Sequence, residues 1–349
     1  MRKVAVVGGD GIGPEVMAQA TRLLEALDKK RPLSLTLVQK DWGAERWLKE
    51  KVGLPKDALA ELKAEYSAVL FGALGDPRIP DMAHGREILL GMRFGLDLYV
   101  NMRPAQLLHP RLTPLKDLTS LDLMILRENT EGLYAGVGGT FKEGTPEEVA
   151  QDMEVNTRLG VERIQRYAFD LARRRRKKVC VVDKNNAVRF GGSLWQRVFK
   201  QLKAEYSDVE ATHLLADVAA MELVRNPARF DVMVAGNLIG DILTDLGAAI
   251  IGGLGVAPSA NLNPGQVSLY EPVHGSAPDI AGKGLANPLA AFLTVGLMLD
   301  ELGYPGLGPA IRDGATQCVA AGKTTRDLGG SLGTVAAADA LLEHILARV

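Results

Sequence analysis

Cysteine is scarce in this chain. Only Cys180 and Cys318 occur in 349 residues, which excludes a disulfide framework and any paired-thiol zinc site. A reducing cytoplasm is the expected compartment. Long apolar runs are missing as well. The segments around 248–258 and 285–299 are broken by Gly, Asn or Pro, and they fall short of the roughly 20 apolar residues a membrane span needs. No membrane association is expected. The opening run Val4–Val7 stops at Gly8-Gly9-Asp10, too short for the apolar core of an export signal. An excess of either charge is also lacking: 41 basic and 42 acidic side chains leave a formal net charge of −1. No overall field therefore draws nucleic acid or an anionic membrane. The one basic run, Arg173–Lys178, closes a helical pattern, where cations favour the negative end of the helix dipole. Nucleic acid is not an expected partner. Internal repeats and low-complexity tracts are absent. What is present is an ordinary globular composition, 47 % hydrophobic and 24 % charged. At roughly 150 residues per domain, the length suggests about two domains and hence a cleft for a small ligand.

The order of elements reads as α/β. Val4–Val7 runs into GGDGIGPEV, a strand, a glycine turn and a helix with Pro14 in its first turn. Gly9, Gly11 and Gly13 spell GxGxG, and Pro14 stands where GxGxxG needs its third glycine, so the Rossmann fingerprint is rejected. A helix over Val16–Leu27, a strand over Leu33–Val38, a helix over Lys56–Glu65 and a strand over Ala68–Phe71 then alternate. Further strands are expected over Leu121–Leu126, Val179–Val182, Ala211–Leu215 and Val232–Ala235, with one long helical region from Glu147 to Ala172. Gly322-Lys323-Thr324 imitates the end of a phosphate loop, but Gln317 occupies the first glycine position. That reading is rejected too.

The chemistry is expected around FDVMVAGNLIGDILTD, residues Phe230–Asp245. Gly236 and Asn237 break the strand, and a helix is expected from near Gly240. Asp241 and Asp245 then share one helical face with Cβ atoms roughly 5–6 Å apart, within reach of one small ion. The alternative is a solvated first turn, with both acids favoured by the helix dipole. Arg93 stands beside Leu89, Leu90 and Met92 in REILLGMR. That pattern suits a substrate with an apolar arm and a carboxylate, or simply an amphipathic helix. Arg103 in YVNMRP and Arg127 in RENTEGLYAG add two guanidiniums at element ends, able to hold a multiply charged acid by bidentate contacts. Tyr134, seven residues beyond Arg127, is a candidate acid whose phenol ordinarily titrates near 10. Lys184 lies just past a strand end, where α/β sheets bind ligands. Asp217 opens a helical pattern, and the long Gly- and Pro-rich stretch Tyr270–Pro288 is of the kind that usually carries function.

The fragments GDGIGPEV, NMRP, RENTEGLYAG, DKNNAV, NLIGDILTDL and EPVHGSAPDIAGKGLANP occur in that order nearly end to end. On them the chain resembles the β-decarboxylating dehydrogenases, the isopropylmalate/isocitrate dehydrogenase family. The resemblance implies an α/β open sheet in two domains that is not a Rossmann fold. Residues 1–100 with 253–349 would form the cofactor side, and 101–252 the dimer interface, with an arm near 136–155. It further implies an NAD-dependent oxidoreductase that oxidises a 2-hydroxy acid, loses carbon dioxide from C3 and protonates the enol, aided by Mg²⁺ or Mn²⁺. Carried over residue by residue, Asp241 and Asp245 bind metal from one subunit of a homodimer and Asp217 from the other. Arg93, Arg103 and Arg127 clamp the substrate; apart from the resemblance, helical spacing beside Arg93 makes Leu89 and Leu90 the expected contacts of its arm. Lys184 of the other subunit acts in base catalysis, and Tyr134 is the acid. His274, Gly275, Ala277, Asp279 and Asn287 belong to the cofactor segment, where the Asp279 carboxylate favours NAD over NADP.

The expected substrate is 3-isopropylmalate, an intermediate of leucine biosynthesis. Asn129 and Glu131 in RENTEG, and the YAGVGG that follows, bring tartrate relatives close. Tartrate, D-malate, isocitrate and homoisocitrate are therefore the alternatives. Arg86 bears on the choice, because a cation turned inward beside Arg93 would suit a third carboxylate. The competing class is a cofactor-binding subunit without turnover. Such subunits tend to lose a metal aspartate, the tyrosine or the lysine, and this chain keeps all of them.

Overall fold

The computed structural model describes residues 2–349. The chain divides into two compact units. One takes in the chain up to Leu98, Gln106–Ser120 and Ala248–Val349; the other takes in Tyr99–Ala105 and Leu121–Gly247. Segments 106–120 and 248–252 thus group with the first unit, not with the middle of the chain. The strands open with β1 (Arg2–Gly9), β2 (Leu35–Lys40) and β3 (Tyr66–Ala73). Then come β4 (Val100–Gln106), β5 (Asp122–Glu128), β6 (Gly138–Phe141), β7 (Val149–Asp152), β8 (Lys178–Asp183), β9 (Glu210–Leu215) and β10 (Val232–Ala235). β11 (Pro258–Leu262) and β12 (Ser268–Pro272) close the series.

In the first unit the strand order is β2-β1-β3-β12-β11. All neighbours run parallel except β11, which is antiparallel to β12. Val4–Val7 and Ala68–Phe71 are buried throughout, as expected of parallel strands covered on both faces. On one side of β1 and β3, Val7 and Phe71 pack with Ile88, Met92 and Leu98, and Leu89 lies partly buried against that cluster. The turn after β1 depends on glycine. Gly11 has φ +57°, and a Cβ there would stand 2.0 Å from the carbonyl oxygen of Ser276. The Gly13–Lys30 helix then starts with Pro14 in its first turn, where a missing N–H costs nothing. β2 begins two residues later than the sequence suggests, because Ser34 has φ +53° and interrupts the extended chain.

In the second unit the order is β4-β5-β10-β8-β9, and β5, β10, β8 and β9 are parallel. The Arg158–Arg173 helix buries Ile164, Ala168 and Phe169. The expected continuous helix from Glu147 to Ala172 is not formed. Val149–Asp152 is instead the second strand of an exposed antiparallel hairpin with Gly138–Phe141, the stretch matched to the family's arm. Helix starts only at Arg158, where Thr157 accepts the N–H of Gly160 at 3.0 Å and caps the first turn. The basic run is spent locally. Arg175 Nε and the backbone N–H of Arg176 each donate to the fully buried Asp231 at 2.8 Å, and the Arg176 side chain also donates to the carbonyls of Asp122 and Phe230.

The Asn237–Ile250 helix begins three residues before the expected Gly240. Asn237 starts it because its side chain is engaged: Oδ1 accepts from Arg127 Nε at 2.8 Å and Nδ2 donates to the carbonyl of Glu131 at 2.8 Å. One turn on, Gly240 lies flat against β5. A Cβ there would come 2.7 Å from Cβ of Arg127. Gly240→Ala is accordingly expected to lower stability by about 1–3 kcal/mol, the usual cost of overpacking. Urea denaturation reads this directly, and a change below about 0.5 kcal/mol would show that the helix has room to shift.

Candidate active site

Five of the expected residues meet in the second unit. Arg127 sits at the end of β5 and Arg103 on β4, while Asp241 and Asp245 occupy one face of the Asn237–Ile250 helix. Arg127 is 2 % exposed and donates to Asp241 Oδ1. The phenol of Tyr134 donates to Asp241 Oδ2 at 2.8 Å. Arg103 donates to Asp245 Oδ1 at 2.9 Å and to Thr244 Oγ1 at 3.0 Å, and stands 3.7 Å from Asp241. The Arg127 guanidinium lies 4.8 Å from the Tyr134 ring centre, a cation–π contact that fixes the ring. Tyr134 belongs to a 3₁₀ turn, Leu133–Ala135, entered through Gly132 at φ +75°. The turn is held from below by buried Glu128, which accepts the N–H and hydroxyl of Thr130 and the N–H of Glu131. Burial pushes the Glu128 carboxyl up, and burial together with the Asp241 carboxylate raises the Tyr134 phenol.

Lys184 and Asp217 form a second cluster. Lys184 Nζ donates to Asp217 Oδ1 at 2.5 Å. That ammonium bond holds the Asp217 carboxyl below the usual carboxylate range.

In the first unit Arg93 is buried and stands 3.4 Å from Glu271 Oε1, which also accepts from Asn261 at 2.9 Å. Its Nε has no hydrogen-bond partner. Arg86 points away: its guanidinium donates to the carbonyl of Asp81 at 2.7 Å, and its side chain is 61 % exposed. Leu89 is packed on the core cluster beside Ile88 and Met92, and Leu90 is half-buried next to it.

A cleft of about 370 Å³ in the first unit is lined by Ile12, Gly255, His274, Ile280, Leu285, Asn287, Arg326 and Asp327. Ile12, Ile280 and Leu285 give it apolar surface of the kind that takes a flat ring. His274 supplies an unsatisfied group: Nδ1 lies 3.1 Å from the Gly275 carbonyl, and buried Nε2 has no partner. Burial lowers the His274 pKa, which leaves Nε2 as an acceptor for a ligand donor. The Asn287 side chain is held on both sides, with Nδ2 donating to Asp327 at 2.8 Å and Oδ1 accepting from the N–H of Leu289 at 3.0 Å. Gly275 leaves open space beside it. Ala277 has φ +39°, and Asp279 is exposed outside the lining of this cleft.

The isocitrate/isopropylmalate dehydrogenase family model matches residues 3–345. The chain belongs to that family. It is 48 % identical over 307 residues to the 3-isopropylmalate dehydrogenase of Thermobifida fusca, covering 86 % of each chain. It is 44 % identical to that of Leifsonia xyli, over 96 % of this chain and 98 % of the relative. Among solved structures, isocitrate dehydrogenase from Methylococcus capsulatus superposes with a TM-score of 0.87 at 36 % identity, covering 99 % of both chains. These relatives and the fold assign this family member to the decarboxylating dehydrogenases.

The donor set of this dehydrogenase fits a hard divalent ion. Asp241 and Asp245 present carboxylate oxygens on one helix face, with side chains 29 % and 57 % exposed, and all-oxygen shells are what Mg²⁺ and Mn²⁺ take. Among the described residues no group of three or more His, Cys, Asp or Glu is arranged to hold a metal. Sequence reasoning missed Asn237 and Glu271, which partner Arg127 and Arg93, and Glu128, which holds the turn that carries Tyr134. Asn237 carried a signal, an Asn at a strand-to-helix break; the two glutamates carried none beyond their place inside RENTEGLYAG and EPVHGSAPDIAGKGLANP. The Tyr134 phenol is expected to ionise above 10, and Asp241→Asn to bring it down by removing the carboxylate that favours the protonated form. Ultraviolet titration of wild type, Tyr134→Phe and Asp241→Asn isolates this tyrosine; an unchanged value in Asp241→Asn would refute the coupling.

Proposed function

We propose that this family member carries out NAD-dependent oxidative decarboxylation of 3-isopropylmalate. One observation carries the choice of substrate: Leu89 and Leu90, shortly before Arg93, are only partly buried, while Arg86 of the same segment is bonded to the Asp81 carbonyl and turned to water. An alkyl arm needs no charged partner, whereas burying an unpaired carboxylate costs several kcal/mol. The relatives named above as 3-isopropylmalate dehydrogenases agree with this reading.

In the proposed reaction Arg93, Arg103 and Arg127 bind substrate carboxylate oxygens. Each offers a planar fork suited to such groups. Lys184 of the second copy, in its neutral amine form, takes the proton of the C2 hydroxyl, and NAD⁺ when bound would serve as the hydride acceptor. After carbon dioxide departs, Tyr134 donates its phenolic proton to the C3 carbon of the enol. Its raised pKa keeps the phenol protonated until that step. A divalent ion, when bound by Asp241 and Asp245 with Asp217 of a second copy, supplies Lewis-acid stabilisation of the developing negative charge. Engaging those carboxylates would release the arginine side chains toward an anionic ligand. The adenosine end of NAD is assigned to the cleft with Ile12, His274 and Asn287, near Gly275, Ala277 and Asp279. Apolar side chains exposed on two helices, Val218, Met221 and Val224 on Ala216–Arg225 and Leu238 and Ile242 on Asn237–Ile250, support a homodimer that covers them.

The test compares kcat/KM for 3-isopropylmalate, D-malate, tartrate, isocitrate and homoisocitrate, with Mn²⁺ and with NAD⁺ or NADP⁺, in wild type and Leu89→Ala. Expected are a preference for 3-isopropylmalate and NAD⁺, and a loss of about 1–3 kcal/mol of that preference on truncation. A wild type that favours isocitrate or tartrate, or a truncation without effect on 3-isopropylmalate, would refute the apolar-arm reading.

A further inference from the structure

The sheet of the second unit ends at β9, which has β8 as its only strand neighbour there. Lys184 directly follows β8, and the helix carrying Asp217 directly follows β9. The Lys184–Asp217 pair therefore hangs from an edge strand and its one neighbour, a placement with fewer bonds to hold it than a central pair has. The backbone register sets Val181 opposite His213 and Asp183 opposite Leu215.

A side-chain bond adds to that ladder. His213 Nε2 lies 2.9 Å from Asp183 Oδ1, and the same oxygen accepts the backbone N–H of Asn185 at 3.0 Å. The second oxygen accepts from Gln196 Nε2 at 2.7 Å. Lys184 is thus bracketed. The residue before it is anchored to β9 through His213, and the residue after it is anchored to the same carboxylate. The Asp183 side chain is only 7 % exposed, so water does not simply replace a lost partner. The His213 ring is oriented by Phe199, with ring centres 6.4 Å apart.

We propose that His213 is a positioning residue: through Asp183 it sets the direction in which Lys184 leaves β8, and with it the Lys184–Asp217 spacing. This deepens the proposed reaction and rests on Lys184 acting in it. A residue that places the base without touching substrate affects the chemical step and leaves ground-state binding alone.

The experiment compares His213→Leu, which removes the bond, with His213→Gln, whose amide N–H reaches Asp183. The Leu variant is expected to lower kcat about ten-fold, equivalent to about 1.4 kcal/mol, with KM for both substrates within about two-fold of wild type. The Gln variant restores most of kcat. Crystal structures of the ligand-free variants read the Lys184 Nζ to Asp217 Oδ1 separation, 2.5 Å here, which lengthens in the Leu variant and returns in the Gln variant. This structural arm needs no substrate, so a wild type inactive on 3-isopropylmalate would sink the proposed reaction and leave the positioning result readable. An unchanged separation or an unchanged kcat in His213→Leu overturns the inference, as does a kcat loss that Gln fails to restore. Should the Leu variant not fold, His213→Asn takes its place, because its shorter amide cannot span to Asp183.

Discussion

The Asp241 carboxylate is the point on which the second unit's site turns. One oxygen takes the Arg127 guanidinium and the other the Tyr134 phenol, so one acid fixes both a cation at the end of β5 and a phenol on the following turn. Arg127 is almost wholly buried, and stripping a buried ion of its partner commonly costs about 3–5 kcal/mol. The carboxylate therefore supports the packing around Arg127, while its partial exposure, alongside Asp245 one turn away, leaves its oxygens within reach of a ligand.

Backbone geometry makes that arrangement possible. Gly240 lets the helix bearing both aspartates lie against Arg127 at a distance no Cβ allows, and Asn237 locks the start of the same helix to Arg127 and to the Glu131 carbonyl. In the first unit Gly11 plays the comparable part, letting the turn after β1 approach Ser276 so that Ile12 reaches the apolar cleft. Both sets of side chains lie where parallel strands end and loops begin, the place where such sheets bind ligands.

Much of this was legible in the sequence, for definite physical reasons. Val179–Val182 and Val232–Ala235 are buried on both faces, so each appears as an unbroken apolar run, and the strand bounds follow to within a residue. Asp241 and Asp245 announce themselves by helical spacing. The hairpin at Val149–Asp152 did not, because its pairing with Gly138–Phe141 is exposed and leaves no alternation of buried and solvent positions to read. Arg86 could not be oriented from sequence, since its partner is a backbone carbonyl. Glu271 beside Arg93 and His213 beside Asp183 were likewise hidden: the members of each pair lie 178 and 30 residues apart, and only the folded sheet makes them neighbours.

The central claim is that one active site is assembled from Asp241, Asp245 and Tyr134 of one copy and Lys184 and Asp217 of another. Mixed dimers test it most directly. Asp241→Asn and Asp217→Asn proteins, each nearly inactive alone, are unfolded together and refolded, and NAD⁺ reduction with 3-isopropylmalate is measured. The account predicts a substantial recovery of activity, because a mixed dimer restores one site with all its carboxylates. A mixture that forms dimers and stays as inactive as its parents would contradict it.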